Sequence, residues 1–169
     1  YRKLSLMIRA NLGLYSAHLP LDMHPVLGNN KALADKAGVE HLEPFGEYKG
    51  VKIGLKGRIV SRTATEFGKI LEKNLGSSVR VIGSGEIQSV GIVTGGAGDL
   101  LRQAIAENLD CYITGEADNH HFHEAVESGC VLILAGHYNT ETGGVVAVGN
   151  HLRNQFNIET EFLDYPTGM

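Results

Sequence analysis

From residue 79 onward, short apolar runs alternate with stretches of helical periodicity, and this alternation limits the architectures open to the chain. The apolar runs fall at 79–82, 90–93, 111–114, 131–135 and 158–163, and the helical stretches at 99–108, 120–128 and 145–156. Leu100, Leu101, Ala104 and Ile105 share one face of the first helical stretch. Val145, Val148, Leu152 and Phe156 share one face of the last. Short apolar strands joined by helices build right-handed βαβ units, so the expected fold class is α/β with a largely parallel or mixed sheet. Ligands of such sheets bind beyond the carboxyl ends of the strands. Here those ends run into TGGAG (94–98), TGEADNHHFH (114–123) and AGHYNTE (135–141), so three polar loops converge on one edge.

The first 78 residues read differently. Leu4, Met7 and Ile8 keep helical spacing over 2–11, and 14–17 forms a short strand that delivers His18. Pro20 and Pro25 hold the loop after His18 out of helix. Asn29 or Asn30 caps a helix that runs through Ala37 and stops at Gly38. Residues 48–60 alternate weakly around Gly50, Gly54 and Gly57, as an antiparallel hairpin or a pair of edge strands. Thr63 and Glu66 have capping-box spacing and open a helix that turns Phe67, Ile70 and Leu71 inward and ends at Gly76. The chain begins within its first helix without a capping residue, which reads as a fragment lacking an N-terminal part. The whole of 1–169 reads as one region, with lobes at 1–78 and 79–169 as the possible subdivision.

A hydrophobic content of 43% in 169 residues suffices for one sizeable core. The net charge of −4 supplies no global positive field for nucleic acid or an anionic membrane. Lys49, Lys52, Lys56, Arg58 and Arg62 form a local basic stretch on extended segments, read as a solvated face. No apolar run approaches the ~20 residues of a membrane span and no signal peptide is visible, so a cytoplasmic protein is expected. Cys111 and Cys130 begin buried strands and read as reduced core thiols.

The chemistry-bearing residues come in two matched units. His18 and Asp22 in SAHLPLD, and His137 and Glu141 in AGHYNTE, each place a carboxylate four residues after a histidine at the end of an apolar run. Imidazole and carboxylate together suit zinc, iron or manganese, and two such pairs supply four ligands, which fits a two-metal centre better than one closed structural site. His24 is a weaker candidate, constrained by Pro25. In TGEADNHHFH, Asp118 can cap a helix that carries His120 and His121 in its first turn, with His123 one turn after His120 as ligand, proton shuttle or substrate contact. TGGAG is a weak phosphate-turn signal, lacking both the dinucleotide fingerprint and the P-loop lysine. Ser84 has no histidine and acid arranged around it as a nucleophile requires.

The combination HLPLDMHPVLGNN, TGEADNHHFHEA and AGHYNTETGG resembles the NIF-three-like dinuclear-metal-centre family, the GTP cyclohydrolase I type 2 homologues. The resemblance extends from Leu4 to Pro166. It implies a fold of two related α/β lobes, of which this chain is the C-terminal two-thirds. It implies that His18, Asp22, His137 and Glu141 bind two divalent metal ions (zinc, iron or manganese), with carboxylate bridging. It sets TGE beside the site and puts a histidine at His123, so Glu116 and His123 are the expected proton-transfer residues. An upstream His-His pair of the family would precede Tyr1. The resemblance further implies a ring-like homohexamer and a metal-dependent hydrolase acting on a nucleotide. A non-catalytic metal-handling protein and an oligomeric regulatory scaffold are the alternatives that the same residues leave open.

Overall fold

The computed structural model describes residues 1–167. Its elements run α1 (Arg2–Arg9), α2 (Leu19–Asp22), α3 (Asn29–Ala37), β1 (Glu40–Tyr48), β2 (Val51–Thr63), α4 (Ala64–Leu75), β3 (Arg80–Ile82) and β4 (Glu86–Ile92). After a 3₁₀ turn (Gly98–Leu100) come α5 (Leu101–Ala106), β5 (Cys111–Thr114), α6 (Asn119–Ser128), β6 (Val131–Leu134) and α7 (His137–Phe156). The strands form one mixed sheet in the order β1-β2-β4-β5-β6-β3, so strands from residues 1–78 and from residues 79–169 share it. β4, β5 and β6 are parallel neighbours, while β1 with β2, β2 with β4, and β3 with β6 pair antiparallel. The α/β class with a mixed sheet thus follows the alternation of the sequence.

The central strands read as near-continuous apolar runs because helices cover both faces of the sheet. Along β5, Cys111 and Ile113 enter the core shared with Leu33 of α3 and Phe67 and Leu71 of α4, while Tyr112 enters the opposite core with Leu101, Ala104 and Ala125. Both cysteines are buried free thiols, as expected, and burial pushes the Cys130 thiol up to about 12. The Thr63/Glu66 capping box opens α4, and Gly76 closes it in the left-handed conformation. Gly38 closes α3 in the same way.

Several sequence expectations are corrected. Residues 14–17 and 158–163 are not strands. Neither stretch joins the six-stranded sheet. Leu14 and Tyr15 are exposed, and the segment after α7 is instead tied by Arg153, whose guanidinium donates to Thr160 O and Oγ1 at 2.8 Å. Residues 19–22 form a helix with Pro20 in the first turn, a place where the missing N–H has no partner to lose. Gly28, not Asn29 or Asn30, is the N-cap of α3, because both asparagines are buried and committed elsewhere. The hairpin extends on both sides of the expected 48–60, with its turn at Lys49 and Gly50. The last helix begins at His137 rather than near 145, running through Gly143 and Gly144. Each interior glycine costs a helix about 1 kcal/mol relative to alanine. At Gly144 that cost secures close packing, since a Cβ there would lie 2.7 Å from Asn29 Oδ1.

Candidate metal centre

The parallel strands β4, β5 and β6 end side by side, and their loops are hydrogen-bonded to one another. Gly115 N donates to Gly95 O at 2.8 Å, and Gly136 N donates to Gly115 O at 2.9 Å. The buried Tyr112 hydroxyl donates to Ala97 O at 2.7 Å and pins the first loop from below. These contacts fix a cleft of about 830 Å³ lined by His18, Asp22, Glu116, His137 and Glu141, with Leu19, Val51, Ile53 and Leu100 among its apolar walls.

The two pairs recognised in the sequence meet here. His18 is the N-cap of α2, and Asp22 closes that four-residue helix. His137 opens α7, and Glu141 follows four residues on. Both pairs therefore sit one helical turn apart, which puts each histidine and its carboxylate on one face. Ligand atoms of His18, Asp22 and Glu141 all lie within 4.8 Å of one another. His137 adjoins the trio through Glu141, with Nε2 3.3 Å from Glu141 Oε2. Gly95 makes room for this contact: it has φ +73°, and a Cβ there would overlap Glu141 Oε1.

A frame of buried amides holds the centre. Asp22, 7% exposed, accepts from Asn29 Nδ2 through Oδ1 at 2.7 Å, and Asn29 Oδ1 accepts from Gly144 N at 2.7 Å. Asn29 thus ties α2 to α7. Asn30 donates to Asp22 O and Ile53 O at 2.9 and 2.8 Å and accepts from Thr94 N at 2.9 Å, tying α2 to β2 and to the loop after β4. The sequence offers one or the other asparagine as the cap of α3. Their signal was two adjacent amides followed by apolar α3, which a cap and a clamp share.

Glu116 Oε1 accepts from His137 Nδ1 at 2.7 Å. That hydrogen bond, with the charge of Glu141, raises the His137 pKa above the ordinary imidazole value against the effect of partial burial. Glu141 is raised above the usual carboxylate range by burial and by the Asp22 charge, although His137 and His18 pull it down. Two neighbouring carboxylates faced by imidazoles, with Glu141 raised by burial and by the charge of Asp22, are a donor set that a divalent cation relieves. Among the described residues, the side-chain hydrogen bond to the Asp22 carboxylate is the one from Asn29 to Oδ1. The residues therefore fit a cation bound by nitrogen and carboxylate oxygen.

Other sequence candidates lie differently. His123 is exposed, packs edge-on against Phe122 at 5.4 Å, and does not border the cleft. His24 accepts from Leu27 N through Nδ1 at 3.0 Å and shapes its own turn. In TGGAG the N–H groups of Thr94, Gly95 and Ala97 already donate to Asn30, Thr140 and Thr114, so the loop is a braced turn with little left for phosphate. Thr94 Oγ1 is buried at the cleft wall without a hydrogen-bond partner among the described residues. Asp118 is the N-cap of α6, as expected.

These observations describe an α/β protein with a carboxylate–imidazole cluster at the carboxyl ends of its parallel strands. The chain belongs to the Duf34/NIF3 (NGG1p interacting factor 3) family, whose profile matches residues 1–167. It is 38% identical to a GTP cyclohydrolase 1 type 2 homolog of Halobacterium salinarum, covering 100% of this chain and 69% of that protein. It is 39% identical to the protein of that name from Archaeoglobus fulgidus, covering 99% and 68%. The crystal structure of TTHA1606 from Thermus thermophilus superposes with a TM-score of 0.89 at 34% identity, over 99% of this chain and 67% of that one. The chain spans about two thirds of the length of these relatives. Among the described residues no helix is long and apolar enough to cross a membrane.

Proposed function

We propose that His18, Asp22, His137 and Glu141 hold two divalent metal ions and that the centre hydrolyses a nucleotide, in the sense of the GTP cyclohydrolase 1 type 2 homologue name its relatives carry. The observation that carries this reading is the meeting of His18, Asp22 and Glu141 within 4.8 Å from segments more than a hundred residues apart. The donor set suits zinc, iron or manganese. Glu141 touches both halves of the cluster, which supports a shared carboxylate.

When bound, the ions supply Lewis acidity and lower the pKa of water at the site. The chain's own residues do the rest. Glu116 accepts from His137 Nδ1 and so leaves Nε2, on the Glu141 side of the ring, as the nitrogen that would bind an ion. Asn29 fixes the Asp22 carboxylate. The apolar wall of Leu19, Val51, Ile53 and Leu100 excludes water from one side of the substrate. Lys49 is the lysine or arginine among the cleft-lining residues and suits an anionic end, while the neighbouring Tyr48 ring suits a planar base. Proton transfer falls to Glu116, since His123 does not border the cleft.

Assembly as a homohexamer and a cytoplasmic location belong to the same proposal. Exposed Leu4, Leu6 and Ile8 on α1, a helix without buried residues, support self-association, and two unpaired thiols support a reducing compartment.

The test is elemental analysis of the full-length protein, then nucleotide turnover with and without chelator, with light scattering for the assembly. The expected outcome is two metal ions per chain and turnover that disappears on chelation. A metal-replete protein that turns over no nucleotide or phosphoester leaves metal handling as the better reading. Activity unaffected by loss of all four ligands removes the centre from the mechanism.

A further inference from the structure

A second set of metal-ligating side chains gathers where α6 begins. Asp99, His120 and His121 each present a ligand atom, and these atoms lie within 4.8 Å of one another. We propose that Asp99, His120 and His121 form a mononuclear site for a zinc-class divalent metal, separate from the centre at His18, Asp22 and Glu141.

The donor chemistry comes first. Two imidazoles and one carboxylate are the protein ligands of open zinc sites, with remaining positions left to water or substrate. The open side here is a cavity of about 350 Å³ bounded by Gly96, Asp99, Glu116, Asp118 and His121. No lysine or arginine lines it. Arg102, which lies within reach of the Asp99 charge, is paired with Glu124 at 2.6 Å. The N-terminal end of α6 works against a cation, and the carboxylates of Asp99, Asp118 and Glu116 oppose it.

The buried ring is the stronger argument. His121 is 1% exposed and aims Nε2 at Asp99 Oδ1, 3.2 Å away. Its Nδ1 lies 3.0 Å from Asp118 N and 3.2 Å from Asp118 O, so each tautomer has a backbone partner ready. Without metal, Asp118 N–H donates to Nδ1, and the Nε2 proton is donated to Asp99. With metal on Nε2, the proton resides on Nδ1 and is donated to Asp118 O, the arrangement that orients most metal-bound histidines. His120 lies against this ring with centroids 3.9 Å apart and planes tilted by 37°, and it is exposed enough to turn its nitrogen toward an ion. Gly96, Asp99 and Glu116 also line the main cleft, so the two sites share a wall.

The experiment titrates zinc into the full chain, with bound metal counted by elemental analysis after dialysis and Co²⁺ absorption as a second readout. Glu141→Gln provides the background that weakens the first centre. In that background, adding Asp99→Asn and His120→Ala removes one zinc per chain or weakens it by at least about tenfold, with circular dichroism unchanged. Both positions are exposed, and Asp99→Asn alone reads the same loss should the combined variant fail to fold. Zinc binding that is the same with and without these substitutions overturns the proposal. So does a folded Glu141→Gln chain that binds no zinc at all.

Discussion

His137 Nδ1 donates to Glu116 Oε1 at 2.7 Å, while the opposite ring nitrogen, Nε2, lies 3.3 Å from Glu141 Oε2. One side of the ring is thus committed to a carboxylate from the loop after β5, and the other side is presented to a carboxylate of its own helix. A neutral imidazole has one donor and one acceptor nitrogen, so fixing the proton at Nδ1 decides which nitrogen is left to bind.

Glu116→Gln tests that relationship. The amide keeps the shape and can still accept from Nδ1, but it lacks the charge that strengthens the bond. The expected result is metal affinity lower by about 10- to 100-fold with secondary structure retained. A chelator-competition titration of both proteins measures it, and equal affinities would remove Glu116 from the support of the centre.

Glu141→Gln addresses the shared carboxylate. Glu141 faces His137 and also stands within the trio of His18 and Asp22, so its charge serves both halves of the cluster. The variant should lose at least one metal ion per chain while keeping its circular dichroism. Metal content that equals the wild type by elemental analysis would count against Glu141 as a ligand.

Asn29→Ala removes the link between the halves. The truncation strips the buried Asp22 carboxylate of its amide donor and removes the contact of Asn29 Oδ1 with Gly144 N that ties α2 to α7. Leaving buried polar groups unsatisfied costs about 1–3 kcal/mol each. The variant should be less stable by about 1–3 kcal/mol in denaturant unfolding and bind metal more weakly. A denaturation midpoint unmoved by the substitution would show that water replaces the amide at no cost.

How much of this was legible in the sequence depended on whether the relevant contacts were local. β5 falls on 111–114 as expected, because a four-residue apolar run buried on both faces needs no partner to be recognised. The Thr63/Glu66 capping box is equally local. The start of α7 was hidden because Gly143 and Gly144 argue against helix, and only the approach of α3 explains them. The expected strand at 158–163 has the right residue types, but strand formation needs a neighbouring edge that composition cannot specify. In the site, the histidine-plus-four spacing was visible. The frame of Asn29, Asn30 and Thr140 was not, because buried amides and hydroxyls look like caps until their distant partners are known.

Asp110 gives a stability prediction that is independent of metal. It lies just before β5, half-buried, and its Oδ2 accepts from Ser89 Oγ, Ser89 N and Gln88 N at 2.8, 2.8 and 3.0 Å. Burial pushes the carboxyl up, but these donors outweigh it and hold the group below the usual carboxylate range. A depressed folded-state pKa means that the unfolded chain takes up the proton first as pH falls. The stabilisation is therefore fully present above the unfolded value of about 3.9 and is lost as pH drops through the lower folded value. Asp110→Asn keeps an acceptor oxygen but removes its charge. Partial exposure to water limits the loss at neutral pH to about 1 kcal/mol. Urea denaturation of both proteins from pH 7 to pH 2.5 should give curves separated at neutral pH that converge at the acid end. A separation that stays constant down to the lowest pH would mean that the charge of Asp110 contributes nothing to holding β4 against β5.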